Sequence, residues 1–211
     1  MADQGTMEWK LERCGKVTAS KVWDVVNKSP KGIYYAERAN YAYALAIETL
    51  TGIPEEIEPN KFMIWGTQNE PLARTRYQET TFDIVTEVGL VIHPVIQRSG
   101  ASPDGLVGDD GLIEIKCPQT KTHCATLMAG EVPKNYLTQI CWQMACLPER
   151  KWCDFISFDP RMPEKGQMFV KRVYRKDLQD YIEQLEEEVK RFLREDVDSI
   201  VEKIKNIMEK M

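Results

Sequence analysis

The sequence predicts an α/β domain in which a central mixed β-sheet is flanked by helices and followed by a long helical C-terminal segment. Three observations carry this reading. Apolar residues recur at helical spacing before residue 80 and again between residues 120 and 146. Runs rich in β-branched and aromatic residues lie between and after those stretches. The chain closes on a stripe, Leu178, Ile182, Leu185, Val189, Phe192, Val197, Ile200, Ile204 and Met208, spaced mostly three or four apart. With 211 residues, 43% of them apolar and 29% charged, the chain is long enough for one compact domain over residues 1–211 with its own core.

Taken in order, Thr18 or Ser20 caps a short helix carrying Val22, Trp23, Val25 and Val26, and Pro30, Lys31 and Gly32 break it. A longer helix follows over residues 34–50, stopped by Thr51 and Gly52. A third spans residues 65–77 with Glu70 in its first turn. Strands are predicted at residues 82–85, 88–92 and 112–117, two helices between Thr120 and Cys146, and two more strands at residues 152–158 and 168–174. Periodicity leaves open whether residues 176–211 form one helix or two broken near Asp196, and whether that segment packs on the body or on a partner.

Composition excludes several classes. There is no self-similar period, no run near the ~20 apolar residues of a membrane span, and no apolar signal core at the N-terminus, so a protein of the cytoplasm is expected. Six cysteines without a CxxC pair suit reduced thiols. The net charge of −5 argues against a uniformly basic coat for nucleic acid, yet −4 of it falls within residues 176–211, leaving the rest nearly neutral.

The most informative stretch is Ser102-Pro103-Asp104-Gly105 followed by Leu112-Ile113-Glu114-Ile115-Lys116-Cys117-Pro118. On a strand, Glu114 and Lys116 share one face while Ile113, Ile115 and Cys117 share the other. A turn at residues 108–111 folds the chain back and sets Asp104 beside Glu114. Two apposed carboxylates repel unless a cation lies between them, and an all-oxygen donor set favours Mg²⁺ or Mn²⁺ over Zn²⁺. A metal so held polarises a phosphate and acidifies water, and Lys116 orients that water or offsets developing charge.

This is the Pro-Asp, spacer, Glu-x-Lys pattern of the PD-(D/E)xK nucleases, whose core is the restriction-endonuclease-like fold. The stretch resembles the core of the phage lambda-type (YqaJ-like) alkaline exonucleases. Further ordered blocks resemble the same family: Arg13-Cys14-Gly15-Lys16-Val17-Thr18-Ala19-Ser20, Trp65-Gly66-Thr67-Gln68-Asn69-Glu70, Tyr136-Leu137-Thr138-Gln139 and Asp159-Pro160-Arg161-Met162. The resemblance implies Asp104, Glu114, the Ile115 carbonyl and Glu70 around Mg²⁺, with Mn²⁺ a substitute. It implies Lys116 at the attacking water, Gln139 near the scissile phosphate, and Arg13, Ser20 and Ser102 as a pocket for a 5′-terminal phosphate. Lys121 and Thr122 stand where the family has a further arginine, so a point charge replaces a bidentate fork there. It also implies digestion of one strand of linear duplex DNA from 5′-phosphorylated ends to mononucleotides, a homotrimeric ring around DNA, and a single-strand annealing protein as recipient of the exposed strand.

Blander readings stand beside these. Glu70 alone reads as a carboxylate favoured by a helix N-terminus, Gln139 as a helix-surface amide, and Glu186-Glu187-Glu188 as a solvated face. His93 and His123 read as structural or solvated, and most of the five tryptophans as core. The alternatives are an iron-sulfur nuclease using Cys14, Cys141, Cys146 and Cys153, and a DNA-end-binding module without catalysis.

Overall fold

The computed structural model describes residues 2–56 and 58–211. The helices are α1 (Met7–Arg13), α2 (Val22–Val26), α3 (Ala36–Thr51), α4 (Lys61–Thr81), α5 (Thr120–Ala129), α6 (Lys134–Cys146), α7 (Arg175–Phe192) and α8 (Asp198–Met208). The strands are β1 (Val17–Thr18), β2 (Val85–Thr86), β3 (Val91–Ile92), β4 (Ser99–Ala101), β5 (Gly105–Val107), β6 (Gly111–Lys116), β7 (Trp152–Phe158) and β8 (Met168–Tyr174). They form two mixed sheets: five strands in the order β2-β5-β6-β7-β8, and three in the order β1-β4-β3.

In the larger sheet, β6 pairs antiparallel with β5 and parallel with β7, so β6 is an interior strand with its backbone groups paired on both edges. The chain between β6 and β7 carries α5 and α6, the crossover that a parallel pair requires. Side-chain alternation along β6 then assigns its two faces. Ile113, Ile115 and Cys117 pack with Ala73 and Tyr77 of α4. Leu112, on the other face, joins the larger core with α6 and α7. Both faces are covered, so the predicted polar face is an interior one: Glu114 has no exposed surface.

Several expectations are revised. The third helix begins at Lys61, because Asn60 Oδ1 accepts from the Phe62 and Met63 amides and caps it there. Glu70 therefore lies in mid-helix, one residue before an internal Pro71, and no helix N-terminus supports its charge. The strand expected over residues 82–85 is only Val85–Thr86, since Phe82 ends α4 in a left-handed conformation (φ 62°) with its ring exposed. Neither Thr18 nor Ser20 caps α2 through a side chain; Lys21 precedes it with a helical backbone.

The C-terminal segment packs on the body. Ile182, Leu185, Val189 and Phe192 of α7 and Val201 of α8 are buried in the main core. The two helices are joined by a π-helical turn, Leu193–Val197, rather than by a break at Asp196. The expected solvated face at residues 186–188 is also revised. Glu186 meets the buried His93 at 3.1 Å, Glu188 accepts from Tyr34 and Arg191, and only Glu187 is open, with Lys190 beside it. His93 and His123 are structural: His93 stacks on Trp142, and His123 bridges Ser157 and the Gly166 carbonyl.

Candidate active site

The turn over residues 108–111 positions the site. With Gly105 opposite Ile113, the next pair along the hairpin apposes Asp104 to Glu114. Gly105 is required here, because a Cβ would lie 2.1 Å from Val85 of the neighbouring strand. Asp104 Oδ2 accepts from the Ile115 amide at 2.6 Å, which pins the carboxyl against the edge of β6. Burial first, and the Glu114 carboxylate second, push the Asp104 carboxyl well above the ordinary range, and Lys116 and the Ile115 amide offset only part of this.

Glu114 is held from two sides. Lys116 Nζ lies 2.5 Å from Oε1, and Gln143 Nε2 donates to Oε2 at 2.5 Å. Among the described residues the Lys116 ammonium is the one group that serves Oε1. Burial opposes the charge on Lys116, but Glu114 and then Asp104 outweigh it and hold the ammonium above its usual range. The lysine also lies 5.2 Å from the ring of Tyr136, which stacks on Phe155.

Glu70 approaches from α4 and is held by Arg74, whose Nη2 donates to its Oε1 at 2.6 Å. Burial pushes the Glu70 carboxyl up; Arg74 opposes this and Glu114 adds to it, which records that the two acids share a field. A cleft of about 820 Å³ opens over Glu70, Ile115, Lys116 and Tyr136, walled by Trp65 of α4 and by Cys117 and Thr122. Burial holds the Cys117 thiol up at about 12, so it offers no thiolate to the cleft.

Among the described residues, no three His, Cys, Asp or Glu side chains stand together as a ready-made metal cage. The donors nevertheless fit a divalent cation. They are oxygens only, two are apposed carboxylates whose repulsion raises Asp104, and Glu114 Oε1 is a buried acceptor with an ammonium where a cation belongs. Asp104, Glu114 and the Ile115 carbonyl are the groups that would hold it, with Glu70 flanking.

The phosphate-pocket residues are partly assembled. Trp9 Nε1 donates to Ser102 Oγ at 3.0 Å, and the Arg13 guanidinium lies 4.0 Å over the Trp9 ring, so one indole joins Arg13 to Ser102. Ser20 and Lys121 are exposed, and no described contact links either to that cluster. Gln139 is half-buried on α6 without a described hydrogen bond; Gln143, one turn later on the same face, is the amide that reaches Glu114. Sequence reasoning missed both Gln143 and Trp9, and their i+4 spacing to Gln139 and Arg13 was the available signal.

The cysteines of the iron-sulfur alternative do not behave as ligands. Cys141, Cys146 and Cys153 are packed in the main core, with burial raising each thiol, while Cys14 Sγ lies 3.8 Å from the Glu48 carbonyl. Among the described residues, no helix is long and apolar enough to cross a membrane.

Comparison with known proteins identifies relatives of the whole chain. LHK-Exo in complex with dAMP is 47% identical over 97% of this chain and 99% of that one, with a TM-score of 0.88. A second structure of LHK-Exo, an alkaline exonuclease from Laribacter hongkongensis, is 48% identical over the same shares, again at 0.88. A phage related exonuclease from Haemophilus somnus 129PT, 14% identical over 90% and 96% of the two chains with a TM-score of 0.63, shares the fold. No curated protein matches the chain. The family model for the YqaJ-like viral recombinase domain matches residues 8–147, a span that includes the candidate residues Glu70, Asp104, Glu114, Lys116 and Gln143, and the chain belongs to that family.

Proposed function

We propose that the chain is a Mg²⁺-dependent exonuclease that digests one strand of linear duplex DNA in the 5′-to-3′ direction from 5′-phosphorylated ends. Family membership supports the coarser part, a nuclease that acts on DNA. The single observation that carries the catalytic reading is the apposed Asp104–Glu114 pair, with Glu114 fully buried and its Oε1 met by Lys116, a lysine that also lines an open cleft. A pure end-binding module needs no such buried charge, which is costly to maintain.

When bound, the cation supplies Lewis-acid activation of the phosphate and acidification of water. The chain's own residues do the rest. Asp104 is fixed by the Ile115 amide and Glu114 by Gln143, so both carboxylates are oriented before substrate arrives. Lys116, a protonated group that lines the cleft beside Glu114, would orient the attacking water and offset charge developing on the phosphate. Glu70 adds negative field at the cleft, and Gln139 follows the cleft-lining Tyr136 by three residues on α6.

Arg13 and Ser102, joined by Trp9, are positioned to receive a terminal phosphate, with Ser20 and Lys121 as outlying contributors. The dAMP bound by LHK-Exo has the form of a mononucleotide product, which supports stepwise release. A homotrimer encircling DNA, Mn²⁺ as a substitute, a single-strand annealing protein as partner and a cytoplasmic setting complete the proposal.

The test is a time course on duplexes labelled at either end, with and without 5′-phosphate and with and without Mg²⁺. Loss of the 5′ label as mononucleotide, dependent on Mg²⁺ and faster with phosphate, is expected. A duplex bound but not shortened in Mg²⁺ sinks the proposal.

A further inference from the structure

We propose that Gln143 is a positioning residue that presents Glu114 to the metal. The inference rests on the metal reading above and deepens it. Gln143 has no exposed surface, and neither has Glu114. A carboxylate only accepts hydrogen bonds, so the amide must turn its nitrogen to Glu114, and Nε2 lies 2.5 Å from Oε2.

The other end of the same amide is unserved: among the described residues Gln143 Oε1 has no donor. A buried amide with one end unserved is a costly way to fill a core position, and the one contact that offsets the cost is the hydrogen bond its Nε2 gives to Glu114 Oε2. Its neighbours along α6 are apolar, with Ile140, Trp142 and Met144 all fully buried. The amide is explained by what it does to Glu114.

With Oε2 tied to Gln143, the carboxylate is held in one orientation, and Oε1 is the oxygen left facing Lys116, which itself lines the cleft. A neutral donor suits the task. It would fix the ligand without placing a second positive charge beside the cation, whereas Lys116 brings a full charge to Oε1. Donors of this kind commonly set metal affinity by about 10–100-fold.

The experiment measures Mn²⁺ binding to the full-length chain by electron paramagnetic resonance, for wild type and for Gln143→Met, beside the Mg²⁺ dependence of duplex digestion. Gln143→Met is expected to weaken Mn²⁺ binding and to raise the half-saturating Mg²⁺ concentration by about tenfold or more. The change in half-saturating Mg²⁺ should exceed the change in rate at saturating Mg²⁺, since excess metal restores the occupancy that Gln143 favours. Circular dichroism melting in metal-free buffer checks that the variant folds. Should it not, Gln143→Asn, which withdraws the donor by one methylene, is held to the same criteria. A folded variant that binds Mn²⁺ as wild type does overturns the role of Gln143 alone. A wild-type chain that binds no Mn²⁺ overturns the metal reading and this inference with it.

Discussion

Arg74 and Glu70 form an ion pair at 2.6 Å one helical turn apart on α4, and the same guanidinium donates through Nε to the Asp104 carbonyl at 3.3 Å. One side chain thus ties Glu70 to the loop that carries Asp104, the proposed metal ligand. Arg74→Met should lower stability by about 1–3 kcal/mol, as expected for charged hydrogen bonds in a partly buried setting. Digestion at limiting Mg²⁺ should fall about tenfold. Denaturant titration and an end-labelled assay check both, and an unaltered Mg²⁺ dependence would separate Arg74 from the site.

Lys116→Ala should reduce digestion by about 10²–10³-fold or more while leaving DNA binding measurable. The change removes the ammonium from Glu114 Oε1, so a folded variant should bind Mn²⁺ at least as well as wild type. Asp104→Ala and Glu114→Ala should lose both digestion and Mn²⁺ binding. The contrast, ligand against water-handling group, is read by calorimetry beside the assay.

Arg13→Ala should cost about 10–100-fold in rate on 5′-phosphorylated ends, the worth of a charge-assisted hydrogen bond to phosphate, and much less on 5′-hydroxyl ends. Trp9→Phe keeps an aromatic ring under the guanidinium but deletes the donor to Ser102, so a smaller loss of the same selectivity is expected. Equal losses on both ends would remove these residues from phosphate recognition.

Asp159 titrates at about 2: burial works to raise it, but Arg161 and Thr120 hydrogen bonds outweigh that. Because the folded value lies below the unfolded ~3.9, the group's contribution to stability is fully present above about pH 4 and fades as pH falls toward 2. Asp159→Asn should therefore flatten the acid limb of the stability profile across that window. Denaturation midpoints at pH 5 and pH 2.5 for the two proteins give the comparison.

The apposition of Asp104 and Glu114 was legible in the sequence because its causes are local: a proline and glycine bracket the acid, a turn follows, and β alternation does the rest. The longer elements were legible for the same reason, and β7 and β8 have the bounds that their patterns predict. Strands of two or three residues such as β1, β4 and β5 carry no period to read. Gln143 was hidden for a different reason. Its partner is 29 residues away, and only the packing of α6 on the sheet shows which amide of that helix meets Glu114. The acidic run at residues 186–188 misled likewise, since a buried histidine and a tyrosine from distant parts of the chain claim two of its three carboxylates.

The π-turn between α7 and α8 acts as a phase shifter. One turn with a wider ring inserts about one extra residue, which rotates everything beyond it by roughly 100° without interrupting the rod. The apolar spacing shows the slip, with Phe192 and Val197 five apart where the stripe otherwise steps by three or four. Like two cams on one shaft, α7 seats against α2 and α6 while α8 turns its own edge to α3. A single unbroken strut thereby clamps the early helices α2 and α3 together with α6 of the crossover, and the geometry of α6, on which the hold over Glu114 depends, is braced from outside by α7.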